Sequence, residues 1–458
     1  MTDVARHLRI HDADVNWLEA AQLMLSAIAV PILAKLGDLH GHRRMLLTSA
    51  AVVAASTVVL AVAPNFAVFL IAWAVQGVYA AWLPLQVALI YNRSRSLADP
   101  AARTRRATGL IVAALQLGAI VGALGGGQVG SAFAGQFWLV LLVPGFLVLG
   151  VCAVVALRVP ESEGREAGSV DATGAALLSV VLLVITGGLT FVRVNGPGAL
   201  WPWLMTALGL LLVVPFVRYE LSREDPLVDF RVLRSPTMWP VQLTAGLFGV
   251  SVLGAQGPLS TFARTDPAVY GYGLGLSTSM VSIVIGGYVI SMLVGAGQFS
   301  RISQRTSPRT TLIGAATLTG TGYLLLVPFH GSLVQVLASM VVAGLGSGAL
   351  VAALPAAAAA AAPAGRTAVA TGLTNTTKVL GGSFASATFA VALAAGAPVL
   401  VDGSEGTAGS LSGYVTVWVV CGATALAAAV ALVCVPRLAF SDQPVVADPR
   451  SVAPEGAA

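Results

Sequence analysis

The chain has 458 residues, 57% hydrophobic and 10% charged, with a formal net charge of +5. A soluble domain carries about 25% charged residues, so this composition excludes a soluble globular protein and places the chain in a bilayer. The bases come a few at a time between apolar runs, with no basic domain, and a nucleic-acid partner is excluded on that ground.

Residues 1–14 are polar and mildly amphipathic, and they lack the basic region followed by a short apolar stretch that marks a signal peptide. Runs long enough to cross the hydrocarbon, about 20 residues each, then recur to the end. They fall near 15–36, 45–63, 66–90, 107–132, 137–157, 172–192, 199–217, 237–262, 274–296, 310–328, 332–354, 369–395 and 412–435. The expectation is an all-α polytopic membrane protein with thirteen spans. Tallied over alternate loops, 21 of the 25 Lys and Arg residues, Lys378 among them, fall on one side. Arg6, Arg9, Arg193 and Arg264 fall on the other. The larger set is expected to be cytoplasmic, which puts the C-terminus inside as well.

Between the first two spans lies Leu36-Gly37-Asp38-Leu39-His40-Gly41-His42-Arg43-Arg44. Gly41 can take a left-handed turn, Asp38 can accept backbone N–H groups at the start of the next helix, and Arg43 and Arg44 would face water and anionic head groups. A plain positively charged loop would read in the same way. The stretch resembles the signature loop of the major facilitator superfamily, Gly-x-Leu-x-Asp-x-x-Gly-Arg-Arg/Lys. Leu36, Asp38, Gly41, Arg43 and Arg44 match it, while Ala34 stands where the first glycine is usual and His42 where a base is usual. The resemblance implies a gating role for Asp38, Gly41, Arg43 and Arg44.

Later motifs extend the resemblance over residues 1–437, toward the branch of fourteen-span drug:proton antiporters. In the third run, Gln76, Gly77 and Pro84 match the family's fourth-span motif, but Trp73 replaces its usual arginine. In the fourth run, Gly118, Gly122 and Gly126 recur every four residues, on one helix face that permits close approach. They resemble an antiporter motif found mainly in exporters, with Ala123 in place of its proline; generic glycine packing is the alternative. Gly125 to Gly130 also spell a dinucleotide fingerprint, but no strand precedes them and apolar helix lies on both sides.

The segment VRYELSREDPLVDFRVLRS resembles the loop after the eighth span of that branch. Physically it reads as an amphipathic interfacial helix, with Leu227, Phe230 and Leu233 on one face. Residues 297–309 sit where a second copy of the signature loop would fall, with the bases kept and the acid absent. The implied architecture is a major facilitator fold. An N-terminal bundle (1–157) is expected to lack the family's first span, two inserted spans follow (158–235), then a C-terminal bundle (236–437) and a disordered tail (438–458).

Ionisable groups inside spans are few, and such groups are commonly functional. Glu19 is the candidate for proton coupling; a water-exposed carboxylate at the membrane boundary is the alternative. Gln22, Gln76, Gln86, Gln116, Gln242, Gln256 and Asn375 are candidate cavity residues, and interhelical hydrogen bonding would explain any one of them equally. Lys378 takes a position where the family often has arginine. Cys152, Cys421 and Cys434 lie in apolar runs without metal-ligand spacing, and the five histidines occupy loops. No enzyme constellation and no ATP-binding loop appear, so no cofactor or metal is expected. The resemblance implies a monomeric secondary transporter that exports a small amphipathic compound by alternating access, with an ion gradient, protons foremost, as its energy source and lipids around it. The rival readings are a non-transporting facilitator-like protein and proton-coupled uptake.

Overall fold

The computed structural model describes residues 2–94, 100–133, 136–161, 171–196, 198–223, 226–361, 367–396 and 407–434. Every regular element among them is helical: α1 Thr2–Leu8, α2 Val15–His40, α3 His42–Ala61, α4 Phe66–Gln76, α5 Trp82–Ser94, α6 Pro100–Ala132, α7 Phe137–Arg158, α8 Ala172–Asn195, α9 Leu200–Ser222, α10 Phe230–Leu233, α11 Trp239–Phe248, α12 Gln256–Arg264, α13 Pro267–Tyr270, α14 Thr278–Arg305, α15 Pro308–Leu325, α16 Leu333–Ala361, α17 Thr367–Ala394 and α18 Leu411–Cys434. Ten stretches are long and apolar enough to cross a membrane. The other three expected spans are helical too, within α6, across the broken pair α11 and α12, and in α15. The tail expected to be disordered lies outside the described residues.

The halves pack by the same rules. In the first, α3 lies along α7; in the second, α15 lies along α18. Each pair is fastened by one arginine. Arg43 donates from Nη2 to Ala156 O at 2.6 Å and from Nε to Val155 O at 3.4 Å, in the last turn of α7. Arg309 donates from Nε to Leu432 O at 2.8 Å and from Nη2 to Val433 O, in the last turn of α18. The last carbonyls of a helix have no partner within it and carry its negative dipole end, so a guanidinium there answers both needs. This repeated clasp is the physical content of the half-to-half repeat, and it gives Arg43 a partner in a neighbouring helix that the signature loop alone did not indicate.

Between the halves, α2 packs on α17 and α6 on α14. Lipid offers no hydrophobic driving force for this, so close approach depends on small residues. A Cβ on Gly382 would lie 3.0 Å from Leu23, and one on Gly127 would collide with Thr278 and Ser282. The close-packed glycine of α6 is thus Gly127. Gly118, Gly122 and Gly126, expected to serve that role, have open space where a Cβ would stand. Helices α8 and α9 form the inserted hairpin, and α8 touches both α17 and α2.

The segment after α9 is held from within. Glu220 is 1% exposed and accepts Val228 N–H at 3.0 Å, and Asp229 caps α10 by accepting from Arg231 N at 3.0 Å. The expected interfacial helix is therefore a single turn. Leu227, Phe230 and Leu233 still pack inward together, and Phe230 meets Phe216 edge-on at 5.7 Å.

Two substitutions test the clasp. Arg43→Ala and Arg309→Ala should each lower unfolding stability by about 1–2 kcal/mol, the scale of a charged group on a helix end, read as thermal unfolding of the purified protein in detergent. Equal stability of both variants and the parent would show that the clasps hold nothing.

Candidate functional site

Two helices break beside the helices that join the halves, one against α2 and one against α17. In the first half, a 3-10 turn at Gly77–Ala81 interrupts the run from α4 to α5. Ser26 Oγ of α2 lies 2.8 Å from both Gln22 O and Gly77 O, and a Cβ on Gly77 would overlap the α2 backbone at Gln22. In the second half, a π-turn at Gly249–Leu253 joins α11 to α12, with Gly254 N donating to Gly249 O at 3.3 Å. A Cβ on Gly249 would overlap Lys378 O, so α17 presses its backbone against this turn. Breaks of this kind free polar backbone inside a bundle and tend to mark binding sites.

The seam is sealed at one end, the end opposite the arginine-rich loops. Asp3 of α1 pairs with Arg264 at 2.7 Å and accepts from Thr278 Oγ1 at 2.9 Å. Asp12 N donates to Thr407 O at 2.8 Å, Ser383 Oγ to Ala20 O at 2.8 Å, and Gly257 N to Glu19 Oε2 at 3.3 Å. Further along α2, Val30 and Leu33 pack within their own half, against Leu46, Ala81, Leu85 and Leu89. The two halves are thus tied through the first turns of α2.

Helix geometry gives the facing directions. On α2, Ala20 and Leu23 face α17, Gln22 and Ser26 adjoin the Gly77 turn, and Glu19 falls in the arc between them. On α17, Thr374, Thr377 and Gly381 face α11, where Gln242 bonds Thr374 and Thr377 at 2.8 Å each. Gly382 and Ser383 face α2. Asn375 and Lys378 fall in the arc between these two faces, toward the interior. Counted from sequence with the loop bases, Lys378 in fact lies a little under halfway along α17.

The sequence candidates separate accordingly. Gln242 is spoken for by Thr374 and Thr377, and Gln76 donates to Thr57 Oγ1 at 3.1 Å, so both tie helices within one half. Gln256 is exposed, and the side chain of Gln116 lies outside the described residues. Gln22, Gln86, Asn375 and Lys378 are partly buried, with no side-chain partner among the described residues. Sequence reasoning passed over Lys378, although a lysine within an apolar run was itself the signal. Trp73 stacks on Phe69 with centroids 5.8 Å apart and fills volume where the resemblance has an arginine.

The signature loop is rebuilt around two substitutes. Gly41 alone separates α2 from α3, at φ 105°, a conformation open mainly to glycine. Asp38 sits in the last turn of α2 and pairs with buried His42 Nε2 at 3.1 Å. The α3 amides of Arg43 and Arg44, expected to meet Asp38, donate instead to Glu161 at 2.9 and 3.1 Å. A carboxylate beyond α7 thus occupies the positive end of α3. Two cysteines, Cys152 and Cys421, are free thiols, and no group of metal-binding side chains appears among the described residues.

A lateral cavity of about 590 Å³ lies between α2, α4 and α8, lined by Trp17, Met24, Phe66, Leu70, Leu183 and Thr186. Trp17 and Met24 mark the face of α2 turned away from Glu19, so the cavity opens on that side of α2, with Ala20 of the seam at its edge.

Halves joined through α2 on α17 and α6 on α14, a helix break packed against α2 and another against α17, and a glycine-jointed acidic and basic loop agree with the sequence profile that matches residues 1–386, that of the Major Facilitator Superfamily. The chain belongs to this superfamily. Among similar proteins is the uncharacterized MFS-type transporter EfpA of Mycobacterium tuberculosis, 27% identical over 375 residues. That match covers 77% of this chain and 64% of EfpA, so the chain spans a little under two thirds of that relative's length. The multidrug efflux pump LfrA of Mycolicibacterium smegmatis is 26% identical over 377 residues, covering 81% of this chain and 72% of LfrA. Among solved structures, a mutant of the nucleoside transporter NupG superposes with a TM-score of 0.65 at 11% identity, over 94% of this chain and 93% of that one. With ten helices long and apolar enough to cross a membrane among the described residues, the chain is a multi-pass membrane protein of this superfamily.

For the loop, Asp38→Asn should cut transport by about tenfold, the size of a typical coupling between distant sites, while membrane abundance stays near that of the parent. Transport and abundance falling together would make Asp38 a folding residue only. Glu161→Ala should lower stability by about 0.5–2 kcal/mol, as the loss of an N-terminal cap does.

Proposed function

We propose that the chain is a proton-coupled exporter of small amphipathic compounds that works by alternating access in the inner (cytoplasmic) membrane. The arginine-rich loops and the C-terminus lie in the cytoplasm, by the positive-inside rule. The end sealed by Asp3, Asp12, Glu19 and Ala20 is then the outer end, and the conformation is closed to the outside. Export as the direction draws on relatives, LfrA by its description as a multidrug efflux pump and Stp of Mycobacterium tuberculosis by its description as a multidrug resistance protein.

The observation that carries the reading is Glu19. Its carboxylate leaves the body of α2 and accepts an amide of the opposite half, inside the outer seal. Ionised, it makes a charge-assisted bond across the seam; protonated, it gives up that charge. A proton arriving at Glu19 therefore changes how firmly the outer end is held shut, which is what coupling requires. Gln22 lies one turn further along α2, and Gln86 and Asn375, partly buried and without side-chain partners among the described residues, are the remaining polar candidates for the path.

Glu19→Gln separates coupling from passage. In proteoliposomes the variant should lose accumulation driven by a pH gradient yet keep downhill exchange of the same substrate, because the amide keeps the shape and loses the titration. Accumulation that still follows the pH gradient would remove Glu19 from the coupling role.

A further inference from the structure

We propose that Lys378 is the binding group for an anionic moiety of the transported compound, so that the site takes amphipathic anions bearing a carboxylate, sulfonate or phosphate. This deepens the export reading and rests on it.

Four observations meet at this residue. First, Lys378 lies within a membrane-spanning helix, where a lone ammonium is costly to hold unless something answers its charge. Second, no carboxylate or other acceptor is bonded to it among the described residues, whereas Thr374 and Thr377 bond Gln242 and Ser383 bonds Ala20. Third, it points into the arc between α11 and α2, toward the interior, and is only partly buried there. Fourth, the π-turn at Gly249–Leu253 lies against the backbone of Lys378 itself, so a helix break and a charge coincide at one level.

The acid of the site does not answer this charge. Ser383 of α17 stands level with Ala20 of α2, and the helices run antiparallel. Lys378 is therefore set about 9 Å deeper than Glu19 along the helix axis, toward the arginine-rich end, at 1.5 Å per residue. Proton acceptor and ammonium are thus separate stations: Glu19 within the outer seal, Lys378 inside the space below it. Asn375, one turn away on the same arc and also without a side-chain partner, supplies amide donors beside the ammonium. A lysine binds an anion as a point charge with three donors, tolerant of geometry, which suits a site that takes varied amphipathic anions.

The test uses the full chain in lipid nanodiscs, with no gradient applied, and two probes of matched shape, 2-naphthalenesulfonate and the neutral 2-naphthalenesulfonamide. Saturable binding is measured by calorimetry, with empty nanodiscs as the blank. The parent protein should bind the sulfonate at least about tenfold more tightly than the sulfonamide, the scale of one charged hydrogen bond. Lys378→Arg should keep that preference, and Lys378→Met should abolish it while binding the sulfonamide as the parent does. The proposal is overturned by equal affinity of the parent for the two probes, by absence of saturable sulfonate binding, or by a sulfonate preference that survives in K378M. If K378M does not fold, the parent's preference and its retention in K378R decide. Because binding is read at equilibrium, loss of proton coupling in E19Q would leave these outcomes untouched, and the two readings fail separately.

Discussion

In a bilayer, apolar side chains gain nothing by leaving lipid for one another, so this molecule is held together by how closely its backbones can approach. The contact of Gly249 with the α17 backbone at Lys378, and of Gly77 with the α2 backbone at Gln22, are two places where that constraint meets a break in a helix. Neither glycine has room for a methyl group. Each sits at the start of a helix break, and each break lies beside a helix that packs against the other half. Close packing and the interruption of regular structure are therefore one feature seen twice. From it follow the position of Glu19 on one side and of Lys378 on the other.

The peripheral order depends on charge at helix ends. Arg43 and Arg309 answer the last carbonyls of α7 and α18, and Glu161 answers the first amides of α3. These groups fix helix pairs within a half and leave the seam free to be held by fewer, weaker bonds. That division suits the proposed alternating access, in which the halves move as bodies. Among the described residues the polar ties across the seam are single hydrogen bonds and the ion pair of Asp3 with Arg264.

Much of the fold was legible because membrane spans announce themselves by length and apolarity, and the thirteen expected runs are all helical. The repeat was legible too, from bases recurring near residues 43 and 309. What sequence could not supply was partnership. Asp38 and the α3 amides are adjacent in the chain, yet the amides take Glu161 from 117 residues or more away, and Asp38 turns back to His42. Likewise Gln242, Gln22 and Asn375 look alike as polar residues in apolar runs. The packing of α11 on α17 satisfies the first, while the side chains of the other two have no partner among the described residues. The expected role of Gly118, Gly122 and Gly126 failed for a related reason: spacing shows which residues share a face, not which face meets a neighbour. Lys378 was hidden by being counted with loop charges, although it lies well inside α17.

The central claim is that the halves are tied at the end marked by Ala20 and Ser383, and that this tie must open during transport. The direct measurement is a reversible disulfide between Ala20→Cys and Ser383→Cys, in a chain whose Cys152, Cys421 and Cys434 have been replaced. The 2.8 Å bond between Ser383 Oγ and Ala20 O puts the two positions side by side. Oxidation should form the cross-link and stop transport, and reduction should restore it. A cross-linked protein that transports at the uncross-linked rate would contradict the claim.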